Sequence, residues 1–236
     1  MSNKHKGSKS EGSEKTHSKD KSMDDRKDHV PTEERKSLFI IHKTEQEKTK
    51  IILSNVLLML SNRIYLNKAG EKNKLLDFET ASKNVVDKGD NTFTIKANNG
   101  ETFSIRIVFQ KISATGKQSI ISDYIKEYGA FTKIIVANDY NNKILDFVLK
   151  QGIQIFRESM MLADLISHFY QPRFEVLTPT EAEDLKKEYN VDDSTIKKIM
   201  RNDPVSRYFG LRKGAIMRII RPSPTAGENV DYRIVF

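Results

Sequence analysis

The sequence of 236 residues contains no cysteine. Its absence excludes disulfide bonds, catalysis by a thiolate, and zinc or iron–sulfur sites built on cysteine ligands. Long apolar runs are missing as well, because the most apolar segment, VLLML at 56–60, is far shorter than the roughly 20 residues that a membrane-spanning helix needs. The chain is polar from Ser2 onward, so we expect no signal peptide. These absences predict a soluble protein of the cytoplasm or nucleus, with no membrane partner.

Apolar residues are also scarce in residues 1–37, which mix Lys, Ser, Asp, Glu and His. A segment of this composition cannot bury enough surface to offset the entropy lost on ordering. We therefore expect residues 1–37 to be a disordered polar tail. The favoured interpretation is a passive solvating segment, and the alternative is an interaction arm or a phosphorylation target.

The chain is rich in basic residues, with a formal net charge of +8 at pH 7 and a pI near 9.4. Such a balance favours contact with polyanions, nucleic acid first, but does not indicate that a base sequence is read.

Residues 38–168 carry a pattern typical of an α/β domain. Two half-buried strands, TFTIK at 92–96 and TFSIRIVF at 102–109, flank an Asn99–Gly100 hairpin turn. Predicted helices and strands then alternate as far as a helix ESMMLADLI at 158–166. This order predicts a sheet with helices on its faces.

Capping signals mark where several helices begin. The capping boxes TEQE at 44–47 and TPTE at 178–181 each predict a helix start, and Asp203 followed by Pro204 predicts another. Asp192 or Asp193 is predicted to cap a short helix that carries Ile196 and Ile199.

The composition changes after residue 168, and residues 169–236 are predicted to form a small mixed α+β domain. Its last part contains two β-rich segments, AIMRIIR and NVDYRIVF, joined by a loop PSPTAGE at 222–228.

Residues suited to catalysis are poorly placed in this pattern. A metal-dependent nuclease needs two or more converging carboxylates, whereas Asp90 and Glu101 only flank the hairpin. His42 and His168 are the only histidines outside the tail, and no nucleophile elbow or phosphate-binding loop occurs. We expect no catalytic, cofactor or metal site.

The remaining candidates are basic side chains of the second domain, since Arg can bind a carboxylate or a phosphate with two hydrogen bonds. They predict a docking module, and the residues chosen as its partner-docking candidates are Arg212, Lys213, Arg218 and Arg221.

The segment DPVSRYFGLRKGAIMRIIRPSPTAGENVDYRIV strongly resembles the C-terminal domain of the fifth subunit of eukaryotic nuclear RNA polymerases and its archaeal counterpart. Weaker resemblance extends upstream, by order of elements more than by identity, across 38–168. The junction HFYQPRF keeps His168 and Pro172 but has Phe174 where the family has a second histidine, so a metal or catalytic role for such a pair is unsupported and a hinge role remains. The positions that match the family signature are Asp203, Pro204, Val205, Arg207, Tyr208, Phe209, Gly210, Lys213, Gly214, Ile219, Ile220, Arg221, Ser223, Thr225, Ala226, Gly227, Tyr232 and Arg233.

The resemblance implies a non-catalytic subunit of a multisubunit DNA-directed RNA polymerase, without cofactor or small-molecule substrate. In such a subunit the N-terminal jaw domain, a nuclease-like fold without an active site, lies near downstream duplex DNA. The C-terminal assembly domain docks on the largest subunit. The divergent, Lys-, Ile- and Asn-rich jaw suggests a large DNA virus as the source. We expect a nuclear location if the gene is cellular, and the host cytoplasm (a viral factory) or the virion if it is viral.

Two alternatives remain open at this point. The net charge of +8 is compatible with a stand-alone basic DNA-binding transcription regulator. The order of elements in the first domain leaves a cryptic nuclease as the weaker alternative.

Overall fold

The computed structural model describes residues 43–67, 69–113, 120–164, 166–168 and 170–236. The expected polar tail at 1–37 lies outside these residues. The described part that begins at Lys43 forms one compact unit with mixed α/β structure.

Helix α1 (Glu45–Ser61) begins at the predicted capping box. Glu47 N donates to Thr44 Oγ1 at 3.3 Å, and Thr44 N donates to Glu47 Oε2 at 2.8 Å. One face of α1 is buried in the core through side chains that include Ile52, Val56 and Leu60. A short antiparallel ribbon of β1 (Ile64–Leu66) and β2 (Lys72–Lys74) follows, and then helix α2 (Phe78–Asn84).

A five-stranded sheet forms the centre of the first half. Its strands and the helices near them are β3 (Val86–Gly89), β4 (Thr92–Lys96), β5 (Thr102–Ile112), α3 (Ile120–Glu127), β6 (Thr132–Tyr140), α4 (Asn142–Lys150), β7 (Gln154–Arg157) and α5 (Glu158–Met161). The strands lie in the order β3-β4-β5-β6-β7. Strands β3, β4 and β5 pair antiparallel, whereas β5, β6 and β7 pair parallel. The parallel connections contain helices α3 and α4, which confirms the predicted sheet with helices on its faces.

Both faces of the central strands are covered, so the prediction of half-buried strands was wrong. Helices α1 and α2 pack on one face, and α3 and α4 pack on the other. Ser104, on the face predicted to be polar, is fully buried because Tyr124 of α3 covers it and donates its hydroxyl to Ser104 O at 2.8 Å. Burial raises the pKa of Tyr124 to about 12.

A four-stranded sheet forms the second half. The elements of this half are β8 (Arg173–Val176), α6 (Pro179–Tyr189), β9 (Lys197–Ile199), α7 (Pro204–Tyr208), β10 (Ile216–Ser223) and β11 (Gly227–Val235). The strands lie in the order β8-β10-β11-β9. Strand β10 pairs antiparallel with β8 and β11, and β11 pairs parallel with β9. The predicted capping box at Thr178 and Glu181 begins helix α6.

Three local predictions need correction. The helix expected over 192–199 is a turn followed by β9, because Thr195 N donates to Asp192 O at 3.0 Å and the next residues hydrogen-bond to β11. The helix expected over 158–166 ends at Met161. The loop expected over 222–228 is shorter, since the β10–β11 ladder continues to the pair Ser223 and Gly227. The division of the folded part at residue 168 stays a prediction, although one sheet lies on each side of it.

Candidate functional site

The signature segment begins with the short helix α7. Asp203 caps it by accepting a hydrogen bond from Val205 N at 2.8 Å, and Pro204 occupies the first turn, as predicted. The helix ends at Tyr208 with Phe209 as its C-cap, and Gly210 follows with a φ of +64°, in the left-handed region that glycine adopts most easily. Leu211 N then donates to Ser206 O at 2.9 Å and closes the turn.

A buried arginine from the first half of the chain binds the end of this helix. Arg63 follows α1, and its Nε donates to Tyr208 O at 2.7 Å. Its Nη2 donates to Arg207 O at 3.0 Å and to Gln154 Oε1 on β7 at 2.8 Å. We call this arrangement of Arg63, Gln154 and the two α7 carbonyls the Arg63 joint, since one side chain links β7 of the first half to α7 of the second.

Arg63 has no carboxylate partner among the described residues, and only 6% of its surface is exposed. Burial lowers the pKa of Arg63 to about 10, so the guanidinium remains charged at neutral pH. Its hydrogen bond to Tyr208 O satisfies a carbonyl at the end of the helix, whereas Arg207 O also accepts a hydrogen bond from Gly210 N at 3.1 Å. A Cβ atom built on Gly210 would lie 3.2 Å from Cζ of Arg63, so this glycine also leaves the space that the guanidinium fills.

The neighbouring signature residues contact the first half too. Tyr208 Oη accepts a hydrogen bond from Asn62 Nδ2 at 2.9 Å, and Arg207 Nη1 donates to Tyr140 Oη at 3.1 Å. Arg207 Cζ lies 5.0 Å from the centroid of the Phe156 ring. These signature residues therefore make internal contacts.

Sequence reasoning did not predict a role for Arg63. The signal available in the sequence was a charged residue at a position whose helical spacing marks it as core.

The docking candidate Arg218 is engaged within the chain. It lies opposite Glu175 of β8, to which its Nε donates at 2.8 Å and its Nη2 makes a second, short contact. The hydrogen bond from Arg218 lowers the pKa of Glu175, and the same pairing raises the pKa of Arg218.

The other candidates are exposed and make no ion pair within the described ranges. Arg221 lies near the end of β10, and Arg212 and Lys213 occupy the turn before β10. This turn is hydrogen-bonded to β11, because Gly214 N donates to Val235 O at 2.8 Å.

The four docking candidates do not form one patch. Ile216 packs with α6 while Met217 and Ile219 pack on the opposite face of the sheet. Because side chains alternate along a strand, Arg218 shares the α6 face and Arg221 the opposite one. The docking role of these residues stays a prediction.

The weaker candidates of the first half remain apart from one another. Asp90 lies in the β3–β4 turn, whereas Glu101 precedes β5 beyond the other hairpin. Within the described ranges, no group of three or more His, Cys, Asp or Glu side chains could hold a metal ion. His168 is exposed and accepts a hydrogen bond from Tyr170 N at 3.3 Å, and Phe174 packs against Phe209. None of the described helices combines the length and apolarity that crossing a bilayer requires.

Comparison with known proteins identifies the family. Residues 163–235 match the family described as RNA polymerase Rpb5, C-terminal domain. The chain is 50% identical over 203 residues to "DNA-directed RNA polymerase subunit 5" of Acanthamoeba polyphaga mimivirus, a match that covers 86% of this chain and 99% of that protein. The chain belongs to the RNA polymerase subunit 5 family.

Eukaryotic relatives of this family also match. The chain is 30% identical over 192 residues to "DNA-directed RNA polymerases I, II, and III subunit rpabc1" of Dictyostelium discoideum, which covers 78% of this chain and 94% of the relative. The protein of the same description from Caenorhabditis elegans is 29% identical over 197 residues, covering 78% and 93%. The family expected from the signature at 203–235 is thereby confirmed.

Proposed function

We propose that this chain is a non-catalytic subunit of a multisubunit DNA-directed RNA polymerase. The observation that supports this most strongly is the 50% identity to a polymerase subunit 5 over 203 residues, because it spans both sheets. A match confined to the second half would favour only a shared module.

Within that assembly, residues 169–236 dock on the largest subunit, and residues 38–168 form a jaw domain near downstream duplex DNA. The first part is supported by the exposed basic residues Arg212, Lys213 and Arg221. The second is supported by the basic balance of the chain, which favours proximity to a polyanion. Location then follows the source: the nucleus for a cellular gene, and the host cytoplasm (a viral factory) or the virion for a viral one.

The test is co-purification. An affinity-tagged full chain, expressed in the native source, is expected to recover the two largest polymerase subunits in stoichiometric amounts, as measured by quantitative mass spectrometry. Recovery of the tagged chain as a free monomer would contradict the proposal.

The stand-alone DNA-binding regulator is favoured only by the net charge of +8. It predicts tight duplex binding by the isolated chain, with an affinity that falls steeply as salt increases. A polymerase subunit that meets DNA only within the assembly predicts weak binding in the same measurement. If the chain does not cleave nucleic acid in the presence of magnesium or manganese, and Asp90→Asn or Glu101→Gln changes nothing, the nuclease alternative is excluded.

A further inference from the structure

Two large apolar side chains are exposed side by side beyond the ends of β9 and β11. Met200 is 65% exposed and Phe236 is 53% exposed. Their backbones are adjacent, since Phe236 N donates to Ile199 O at 3.2 Å. Together with Leu149 of α4 they line a depression of about 480 Å³, which we call the Met200–Phe236 patch.

Basic side chains surround this patch. Lys150 and Arg201 line the depression, and Lys198 Nζ lies 6.0 Å from the centroid of the Phe236 ring. None of these three cations forms an ion pair within the described ranges. Among the described residues, Asp146 is the one carboxylate side chain that lines the depression. An apolar centre with a charged rim is the arrangement found at protein–protein interfaces.

The patch continues into a second depression. Leu149 and Arg201 also line a cleft of about 420 Å³ that reaches Arg207 and Arg212. A bound segment could therefore extend from the apolar patch along further guanidinium groups. Methionine adapts its shape to an apolar partner at low cost, and guanidinium groups bind carboxylates with two hydrogen bonds.

We infer that the Met200–Phe236 patch binds an acidic segment of another polymerase subunit, one that carries a bulky apolar side chain between Asp or Glu residues. This inference rests on the proposed function. The apolar side chain fills the depression between Leu149, Met200 and Phe236, while the carboxylates meet Lys150, Lys198 and Arg201.

Charge disfavours the other occupants. A two-fold dimer through this patch would bring the same cations of two copies together. Residues 1–42 of this chain carry ten Lys and Arg against eight Asp and Glu, so as a whole they would add positive charge to a basic patch. A nucleic acid could meet the cations, but it would leave Met200 and Leu149 without an apolar partner.

The first experiment places an apolar-to-acidic change in the patch of the tagged full chain. Met200→Asp and Phe236→Asp are each expected to lower recovery of the large polymerase subunits by about tenfold, as a central interface side chain typically does. Arg201→Glu is expected to lower it as well. The matched controls are Val86→Asp, which alters a valine that is 50% exposed on β3, and Lys88→Glu on the same strand; both should leave recovery unchanged.

The second experiment identifies the occupant. A benzophenone amino acid at position 200 is expected to crosslink to a polymerase subunit, at a segment with an excess of Asp and Glu. Crosslinks to nucleic acid, to a second copy or to residues 1–42, or no crosslink at all, would overturn the inference. If the wild-type chain recovers the large polymerase subunits and the Asp variants recover them equally well, this inference is overturned while the proposed function stands. A wild-type chain that recovers no polymerase subunit would overturn the proposed function and this inference with it.

Discussion

At the residue scale, Arg63 is unusual because it is a buried cation with no carboxylate partner among the described residues. Transferring such a charge from water into the protein interior costs free energy. The guanidinium of Arg63 lies against the end of α7, and the hydrogen bonds that it makes there offset this cost. The guanidinium donates to Tyr208 O, Arg207 O and Gln154 Oε1, so it replaces water at three acceptors drawn from both halves of the chain. An apolar side chain at this position could fill the volume but could not satisfy these oxygens.

Replacing Arg63 by methionine is therefore expected to lower the free energy of unfolding by about 3 kcal/mol, since it leaves buried acceptors unsatisfied. Urea denaturation followed by circular dichroism measures this loss. The matched control is Arg221→Met, where an exposed side chain without an ion pair is lost and stability should stay within about 0.5 kcal/mol. Equal stability of the two variants would show that the Arg63 hydrogen bonds contribute nothing net.

Gly210 offers an independent test of the same contact. Gly210→Ala meets both an unfavourable φ of +64° and an approach of 3.2 Å to Arg63. Gly100→Ala meets a φ of +86° with no atom within 4 Å, so it isolates the backbone strain of about 1 kcal/mol. We expect Gly210→Ala to be the more destabilising change in urea denaturation.

The excess cost of Gly210→Ala should disappear when Arg63 is already methionine, because a flexible thioether can move away. This double-mutant cycle measures the coupling between the two positions. Additive losses of stability would mean that the Cβ atom and the guanidinium do not compete for space.

At the element scale, local signals and long-range pairing explain which predictions succeeded. The capping boxes at Thr44 and Thr178 depend on residues three apart, so they could be read from the sequence. Strand β9 could not, because Lys197–Ile199 becomes a strand only by pairing with β11, more than thirty residues later. The Arg63 joint escaped prediction for the same reason: its acceptors on α7 are remote in sequence.

The pairing of β8 with β10 makes a prediction about pH. The hydrogen bond from Arg218 holds the pKa of Glu175 below its ordinary value of 4.5. A carboxyl group whose pKa is lower in the folded state stabilises the fold above that ordinary value, and this contribution is lost as the pH falls through the folded-state pKa. NMR titration of Glu175 should therefore give a midpoint below 4.5, and Arg218→Gln should raise it. Identical midpoints in the two proteins would contradict the assignment of Arg218 as the cause.

At the scale of the whole molecule, the docking candidates can now be ranked for assembly experiments. Arg221→Glu is the informative change, because this exposed side chain makes no ion pair with any described residue, and reversing its charge should not disturb the fold. Arg218→Glu would instead place a second carboxylate beside Glu175 and destabilise β8, so weaker assembly would be ambiguous.

We expect Arg221→Glu, and the double variant Arg212→Glu with Lys213→Glu, to reduce recovery of the largest polymerase subunit while the melting temperature stays within a few degrees. Reversal at Lys83, on α2 of the other half, is the charge-matched control. Unaltered assembly of both test variants would place the docking face elsewhere.

The Arg63 joint also leads us to expect that the two sheets unfold together. Tyr208 of α7 belongs to the same buried core as α1 and the five-stranded sheet, and Arg63 binds the carbonyls of α7. Two halves that share a core and a buried charge should lose their structure together, since exposing either one leaves the charge unsatisfied.

Differential scanning calorimetry of the full chain is therefore expected to show one transition, with equal calorimetric and van't Hoff enthalpies. In Arg63→Met the two halves should unfold independently of each other. Hydrogen exchange should then become faster in the four-stranded sheet than in the five-stranded sheet. Lys72→Met is the matched control, because it removes only the exposed ion pair between Lys72 and Glu181, which also connects the two halves. Two transitions in the wild-type chain would mean that the halves unfold independently and that the joint does not couple them.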